Sequence, residues 1–388
     1  MTKRDVIARI GGTAAEIGAA AWNACANPEG RADPHPFTRY EFFAALEETG
    51  CASPRTGWQP VHLVIARGGE MHGILPLYLK SHSRGEYVFD WGWADAFERA
   101  GGDYYPKLQA SVPFTPVTGK RLLIAKDAPQ EETANALLAA GAAAVGELGA
   151  SSLHVTFMTE AEWRMAGALG FLQRNDQQFH WLNKGYSSFD EFLGELSSSK
   201  RKNLRKERAR VRDEGIAFDW LTGGDITEAD WDHFYRFYMD TGSRKWGRPY
   251  LTRDFFSRIG ETMADEILLV MAKRDGRPIA GALNLFGEGA LFGRNWGSTE
   301  YVPFLHFETC YYQAIDFAIA KGLAKVEAGA QGEHKLLRGY MPTPTYSAHF
   351  IAHPDLRQAI GDFLARERRV VAENIEVLSE HGPFKKGD

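Results

Sequence analysis

Polar residues that could carry out acid–base chemistry are concentrated in one segment, E-A-G-A-Q-G-E-H-K-L-L-R-G-Y, at positions 327–340. Glu333 and His334 are neighbours there, and either could take a proton from an attacking amine while the other orients it. Lys335 and Arg338 could hold an anionic group of a substrate. The same side chains could instead form a structural network of salt bridges.

The elements that precede this segment explain why its residues would converge. Residues 305–320 show an apolar and aromatic pattern that predicts a buried helix, ended by a cation and Gly322. Residues 324–328 predict a short buried strand, and open α/β sheets build their sites where such strands end. Glu327 alternates with Val326, so one of them faces inward. An inward carboxylate is either paired with a cation or close to the reaction centre.

Arg294, His306 and Glu308 are further candidates for chemistry. Arg294 and Trp296 lie on a predicted strand whose apolar neighbours indicate burial, so Arg294 is expected to have an anionic partner. His306 and Glu308 flank the start of the predicted helix and cannot share one of its faces. Glu308 could equally be a first-turn carboxylate that stabilises the helix N-terminus.

A strongly basic segment, K-R-K-N-L-R-K-E-R-A-R-V-R, occupies positions 200–212 and places eight cations in thirteen residues. Like charges at helical spacing repel one another, so an anionic partner is a reasonable inference. The segment would then be a docking face for a nucleotide cofactor, RNA, lipid headgroups or an acidic carrier protein, and the alternative is a solvated helix face. The candidate phosphate- or carrier-binding residues are Lys200, Arg201, Lys202, Arg205 and Lys206.

Length and composition restrict the class of protein. A chain of 388 residues is longer than one core usually supports, so two domains are expected. The net charge of −5 predicts no bulk attraction to DNA or anionic lipid, and any such binding would need a local patch. The three cysteines are scattered and no motif has metal-ligand spacing, so neither a disulfide framework nor a metal site is predicted.

The N-terminal region could be mistaken for a signal peptide. Asp5 and Glu16 interrupt its apolar run, so residues 4–26 are predicted to form an amphipathic helix instead. No segment has the apolar length of a membrane span. We expect a cytoplasmic protein, with peripheral contact at the inner face of the membrane as an open alternative.

An internal repeat predicts the domain organisation. Three matches occur in the same order, separated by roughly 200 residues, which is better evidence for duplication than any single match. They predict an α/β (α+β) fold with two tandem domains, 1–184 and 185–388, each a mixed, mostly antiparallel sheet flanked by helices. Chance similarity of hydrophobic strand pairs is the alternative. The matches are 63–67 with 269–273, 73–77 with 281–285, and a predicted strand at 87–93, carrying Phe89 and Trp93, with Phe292 and Trp296.

Several segments make the chain similar to a known family, among them V-P-F-T-P-V-T-G at 112–119, S-K-R-K-N-L-R-K-E-R at 199–208, L-H-F-E-T-C-Y-Y-Q at 305–313 and the segment 327–340. They resemble the Fem-like, or peptidoglycan biosynthesis/recognition, predicted N-acyltransferases over nearly the whole chain. The resemblance implies two GNAT-type domains in tandem. It also implies that the site is lined by Arg294, Trp296, His306, Glu308, Glu327, Gln331, Glu333, His334, Lys335 and Arg338.

We therefore expect an N-acyltransferase that moves an acyl or aminoacyl group to an amine of a cell-envelope precursor, which could be a peptidoglycan intermediate, a sphingoid base or another amino lipid. Glu333 or His334 would be the base, with Glu327 nearby, and Arg294 and backbone N–H groups near 326–330 would stabilise the oxyanion.

No tightly bound cofactor is expected, and the activated donor could be acyl-CoA, an acyl carrier protein or aminoacyl-tRNA. Coenzyme A bound as in ordinary GNAT proteins is disfavoured, because residues 297–303 lack the usual glycines and Glu300 would repel phosphate. A non-catalytic protein that recognises an envelope component or a carrier is the alternative function.

Overall fold

The computed structural model describes residues 6–245, 249–329 and 332–385. The strands are β1 Val6–Gly12, β2 Trp58–Pro60, β3 His62–Arg67, β4 Glu70–Leu75, β5 Tyr78–Lys80, β6 Lys107–Ala110, β7 Leu123–Ile124, β8 Ser152–Met158, β9 Leu172–Leu182, β10 Ile216–Leu221, β11 Ile267–Arg274, β12 Arg277–Gly287, β13 Ala290–Ser298, β14 Lys325–Glu327 and β15 Met341–Ile351. The helices are α1 Ala14–Ile17, α2 Ala19–Ala26, α3 Tyr40–Glu48, α4 Trp91–Arg99, α5 Gln130–Glu147, α6 Glu160–Ala168, α7 Phe189–Glu195, α8 Ser198–Asp213, α9 Glu228–Lys245, α10 Arg253–Thr262, α11 Leu305–Phe307, α12 Gln313–Lys321 and α13 Pro354–Glu380.

Short 3₁₀ helices lie at Pro36–Thr38, Pro54–Thr56, Gly223–Asp225, Ala264–Glu266 and Glu333–Arg338. A π-helical turn, Glu308–Tyr312, connects α11 to α12.

The chain forms two compact units that are not consecutive halves. The first comprises residues up to Asp176 together with Pro344–Glu373, and the second comprises Gln177–Thr343 together with the residues from Asn374 onward. The predicted domains, 1–184 and 185–388, differ from these units because two strands are exchanged. In the second unit β9 pairs with β14, although β9 follows β8 of the first unit in the chain. In the first unit β15 pairs with β8, although β15 follows β14 of the second unit in the chain.

The second unit is built on strands in the order β10-β11-β12-β13-β14-β9. Strands β10 to β13 are antiparallel neighbours, and β14 is parallel to β13 because the helix between them returns the chain to the same end of the sheet. Leu268, Leu291 and Val326 on the strands pack with Ile315 on α12 in one core. The helix ends as predicted at Gly322, whose φ of 66° is in the left-handed region.

The first unit contains the same succession of elements in a more divided form. Strands β3 and β4 form an antiparallel pair within the sheet β1-β3-β4-β7, as β11 and β12 do in the second unit. Strand β6, helix α5 and strand β8 then repeat the arrangement of β13, α12 and β14, since β8 is parallel to β6. The mixed α/β class and the predicted repeat of strand pair, helix and parallel strand are therefore confirmed.

Two elements in the first unit were predicted wrongly. Residues 4–26 do not form one helix, because β1 pairs antiparallel with β3 and Thr13 then begins α1 with a capping box. Residues 87–93 do not form a strand. The carboxylate of Asp90 is buried, bonded by Tyr104 and Lys107, and α4 begins directly after it at Trp91. The strand equivalent to β13 is β6.

The chain's helices do not include a membrane-spanning segment, as far as the described residues extend: none is both long enough and apolar enough.

Candidate active site

The two parallel strands of the second unit separate at the place where the candidate residues lie. On its β13 side, β14 pairs with Ala290, Leu291 and Phe292 at the start of that strand, and β13 continues to Ser298 beyond this pairing. Asn284 pairs with Gly293 whereas Leu283 pairs with Asn295, so Arg294 is the extra residue of a β-bulge. Bulges re-aim side chains and free backbone groups next to sites.

Trp296 and His306 belong to a series of aromatic rings that ends at His334. The rings of Trp296 and His306 are 5.3 Å apart, and those of His306 and His334 are 6.2 Å apart. His334 lies in the 3₁₀ helix, and its Nε2 is 2.9 Å from the hydroxyl of Tyr311 on the π-helical turn. Burial raises the pKa of Tyr311, so this hydroxyl stays protonated and can hold the imidazole in place. The structure thus brings three of the predicted site residues together.

Arg338 contacts the backbone of His334. Its Nη1 donates to the carbonyl oxygen of His334 at 2.7 Å, and its Nη2 donates to both carboxylate oxygens of Glu207 at 2.9 Å. The hydroxyl of Tyr312 also donates to Glu207. The guanidinium lies 3.5 Å from the centroid of the Phe307 ring. Arg338 was predicted to bind a substrate anion, and in the structure its guanidinium contacts Glu207 and the backbone of His334.

Lys335 is the buried cation of the cluster. Only 2% of the residue is exposed, and its Nζ donates to the carbonyl oxygen of Gly329 at 3.0 Å. No carboxylate within the described ranges lies at ion-pair distance from it. Burial lowers its pKa to about 8, opposed by the neighbouring Cys310 thiol. A cation buried without an anionic partner is costly, and a site that binds or develops negative charge repays this cost.

Glu327 is buried at the end of β14, which is one of the two orientations that the sequence allowed for it. Its Oε1 accepts a hydrogen bond from Lys325 at 2.5 Å, and its Oε2 lies 3.9 Å from Nε2 of His180 on β9. Burial lowers the pKa of His180. Glu327 therefore lies close to Lys325 and His180, next to the place where β13 and β14 separate.

The remaining predicted residues of the segment are placed differently. Glu333 is exposed, and its carboxylate makes neither an ion pair nor a hydrogen bond within the described part of the chain. Gln331 lies outside the described residues. Arg294 is half-buried rather than buried. Glu300, predicted to repel phosphate, is paired with Arg274 and Arg277 on the neighbouring strands.

Glu308 is held by a residue of the basic segment rather than left for substrate. Arg208 donates to its two oxygens at 2.9 and 3.2 Å and also binds Asp316 at 2.6 Å. Gln313 donates to Glu308 at 2.8 Å. Burial raises the pKa of Glu308 despite these donors. The arrangement joins α8 to the π-helical turn that carries Tyr311.

Removal of Arg208 should destabilise the second unit. The Arg208→Met change keeps the aliphatic stem but leaves the Glu308 carboxylate buried without its cation, which we expect to lower the free energy of unfolding by about 3 kcal/mol. Denaturant unfolding measures this difference. The matched change Arg212→Met, on an exposed residue of the same helix, should alter stability by less than about 0.5 kcal/mol. Equal effects of the two changes would contradict the proposed role.

The cations predicted to bind a donor divide into two groups on α8. Lys202 and Lys206 are exposed, whereas Lys200 and Arg201 are half-buried. Arg205 is also exposed and forms an ion pair with Asp190 at 2.9 Å. Exposed ion pairs are weak, so this pairing would not keep Arg205 from an anionic partner.

The equivalent position in the first unit is filled. β8 pairs with β6 through residues 108–110 only, and the side chain of Arg121 lies beyond this pairing. Its guanidinium donates to the carbonyl oxygen of Val117 at 2.5 Å and to that of Thr156, on β8, at 2.8 Å. Arg121 is buried and links β8 to the segment that follows β6.

Sequence reasoning missed Tyr311, Glu207, Tyr312 and Phe307. Each contacts a predicted residue through tertiary packing, and the π-helical turn that aims the two tyrosines has no sequence signature.

The repeated strand pair, helix and parallel strand, with the strand separation in the second unit, define a tandem GNAT-like protein of the mixed α/β class. Residues 13–386 match the FemAB-like family, described as peptidoglycan biosynthesis/recognition, and the chain belongs to this family. No curated protein matches the sequence significantly.

Solved structures with the same fold share little sequence with the chain. FemX is 13% identical with a TM-score of 0.54, over 87% of this chain and 98% of its own. The C-terminal domain of a putative lysylphosphatidylglycerol synthetase from Agrobacterium fabrum is 11% identical with a TM-score of 0.52, over 88% and 95%. L-PGS from Bacillus licheniformis is 11% identical with a TM-score of 0.51, over 86% and 98%. At this identity the similarity shows the fold alone.

Proposed function

We propose that the protein is an N-acyltransferase whose site lies in the second unit, where β13 and β14 separate. The observation that carries this proposal is Lys335, a buried cation without a carboxylate partner among the described residues, next to His334 in the same 3₁₀ helix. Acyl transfer to an amine needs a proton acceptor and a stabiliser of the tetrahedral oxyanion. These two neighbouring residues supply both groups.

His334 is the proposed base. An amine reaches the site as ammonium and must lose a proton before its lone pair can attack the acyl carbonyl carbon. The imidazole takes this proton, while Tyr311 and Arg338 hold its ring and backbone in position. Glu333, the other predicted base, has no hydrogen-bond partner within the described part of the chain to orient its carboxylate, so in this proposal it assists at most through its charge.

Lys335 and the backbone of the bulge at Arg294 are the proposed oxyanion stabilisers. Attack places a negative charge on the former carbonyl oxygen, and collapse of the tetrahedral intermediate forms the amide and expels the thiol or alcohol of the donor. In this step the attacking nitrogen loses its surplus proton, and the leaving thiolate or alkoxide gains one. A buried ammonium acts strongly on such a charge because little water screens it.

The donor is a thioester or an aminoacyl ester whose phosphate-bearing carrier lies along α8. The family to which the chain belongs supports an acceptor amine on a cell-envelope precursor. The exposed cations Lys202 and Lys206 would contact the carrier, which could be coenzyme A, an acyl carrier protein or tRNA.

Charge reversal on α8 should weaken donor binding selectively. In the double variant Lys202→Glu and Lys206→Glu we expect the KM for the donor to rise about tenfold or more with kcat nearly unchanged, because these cations bind the carrier in both ground and transition states. Steady-state kinetics at about 50 and 200 mM salt measure the effect, which should shrink in high salt. The same reversals at Lys120 and Lys126, exposed in the first unit, are the control. Equal KM values in both doubles would exclude α8 as the carrier site.

The activity itself is tested by offering purified protein isotope-labelled aminoacyl-tRNA, acyl-CoA and acyl carrier protein, each with a peptidoglycan precursor or an amino lipid. Mass spectrometry then detects the labelled amide. An amide product supports the proposal. If an envelope precursor raises the melting temperature while no donor is consumed, the protein recognises that precursor without transfer and the proposal is refuted.

A further inference from the structure

The second unit contains a cavity that the proposed transfer site does not use. Its volume is about 700 Å³, within the range of ligand pockets, and neither His334 nor Lys335 lines it. All six residues of β10 line it, together with Arg208, Arg212, Glu308 and Gln313.

The wall formed by β10 is the free edge of a sheet. β10 is the first strand in the sheet order, and the pairing of its six residues within the described chain is with β11 alone. Six residues of strand span roughly 17–20 Å. A cavity that follows an unpaired edge for this length fits an extended backbone, because the outward N–H and C=O groups form a template for another strand.

The charged residues around the cavity indicate which kind of side chain a bound peptide would carry. Arg208 is bound to Glu308 and Asp316, and Asp219 is bound to Lys273 at 2.6 Å. Arg212 is exposed, and within the described part of the chain no acidic side chain pairs with it.

The cavity also has an aromatic wall. The indole of Trp220 is 36% exposed, and its Nε1 donates to Gln313 at 2.8 Å, which holds the ring at the cavity. One carboxylate of a ligand would match the charge of Arg212. The ring of Trp220 provides an apolar surface in the same cavity.

We propose that this groove binds an extended peptide that adds a strand to β10 and places one carboxylate on Arg212. The proposal does not involve His334, Lys335 or the proposed carrier contacts Lys202 and Lys206, although Arg212 lies on the same helix as these two lysines. The peptide's backbone would pair with the free edge of β10, and its apolar side chains would contact Trp220.

The charge recognition is tested with two fluorescein-labelled pentapeptides of alternating valine and threonine, with glutamate or glutamine at the centre. Fluorescence polarisation on the full chain should show about tenfold tighter binding of the glutamate peptide, the size expected for a charge-assisted contact. Arg212→Ala should abolish this difference. The control Arg369→Ala, on an exposed residue of α13, should preserve it. Equal binding of both peptides to the unmodified chain would refute the assignment of Arg212.

The strand pairing is tested with two further peptides, N-methylated at alternate residues on one edge or on the other. One of them should lose binding at least tenfold and the other should retain it, because only one edge can pair with β10. Equal effects of the two methylation patterns, or no binding of any peptide at millimolar concentration, would overturn the proposal. A concentration-dependent dimer that Ala217→Pro abolishes would also overturn it, since the edge would then bind a second copy of the chain.

Discussion

Replacing Lys335 with methionine should lower kcat by about 10²–10³-fold, which is the loss measured when a single oxyanion donor is removed from other enzymes. The change keeps most of the apolar length of the side chain and removes the ammonium group together with its hydrogen bond to Gly329. Protein stability should stay the same or increase, because the ammonium is buried without a carboxylate partner in the described part of the chain. A structural salt-bridge lysine would behave in the opposite way, with lower stability and intact turnover. Lys126→Met, an exposed change in the first unit, is the control.

The same residue predicts a pH dependence. Burial lowers the pKa of Lys335 to about 8, and the ammonium is the form that stabilises the oxyanion. The rate should therefore fall as the pH rises through about 8, where the charge is lost. Lys335→Arg keeps a charge at every accessible pH, so this variant should retain part of the activity and lose the alkaline decline. A decline at the same pH in both proteins would assign it to another group.

Replacing His334 with alanine should lower turnover by about 10²–10⁴-fold, the usual contribution of a general base. The KM for the donor should change little, because the imidazole acts on the amine and not on the carrier. Since His334 is exposed, added imidazole should restore part of the rate. Full activity of the alanine variant would remove His334 from the mechanism.

Tyr311→Phe provides the matched test of positioning. The variant removes the hydroxyl that lies 2.9 Å from the imidazole and keeps the ring in its core. Turnover should fall about tenfold, less than in His334→Ala, because the base remains but its orientation is looser. A loss as large as that of His334→Ala would show that the tyrosine takes a direct part in proton transfer.

The sequence predicted the elements that depend on local pattern. The apolar helix predicted at residues 305–320 is present, with a π-helical turn inside it, and so are its end at Gly322 and the buried strand that follows, because helix periodicity and a glycine terminus are encoded locally. The repeat was visible for the same reason, since strand pairs keep their alternation after duplication.

The features that depended on distant contacts could not be predicted. Residues 87–93 contain strand-forming residues, but Lys107 and Tyr104, later in the chain, bind the carboxylate of Asp90 just before α4. The exchange of β9 and β15 between the units has no signal in composition or spacing.

The candidate site shows the same division between local and distant information. Its residue types were visible in the sequence, and Lys335 lies within the segment 327–340 that the sequence singled out. The contact of Arg338 with Glu207 could not be predicted, because Glu207 lies on a helix more than a hundred residues earlier in the chain.

The central claim is tested most directly by amide formation with an isotope-labelled donor and an envelope amine, followed side by side in the unmodified chain and in Lys335→Met. The account predicts labelled amide from the unmodified chain and a rate at least 10²-fold lower from the variant, with both proteins equally folded. Equal rates of amide formation in the two proteins would contradict it.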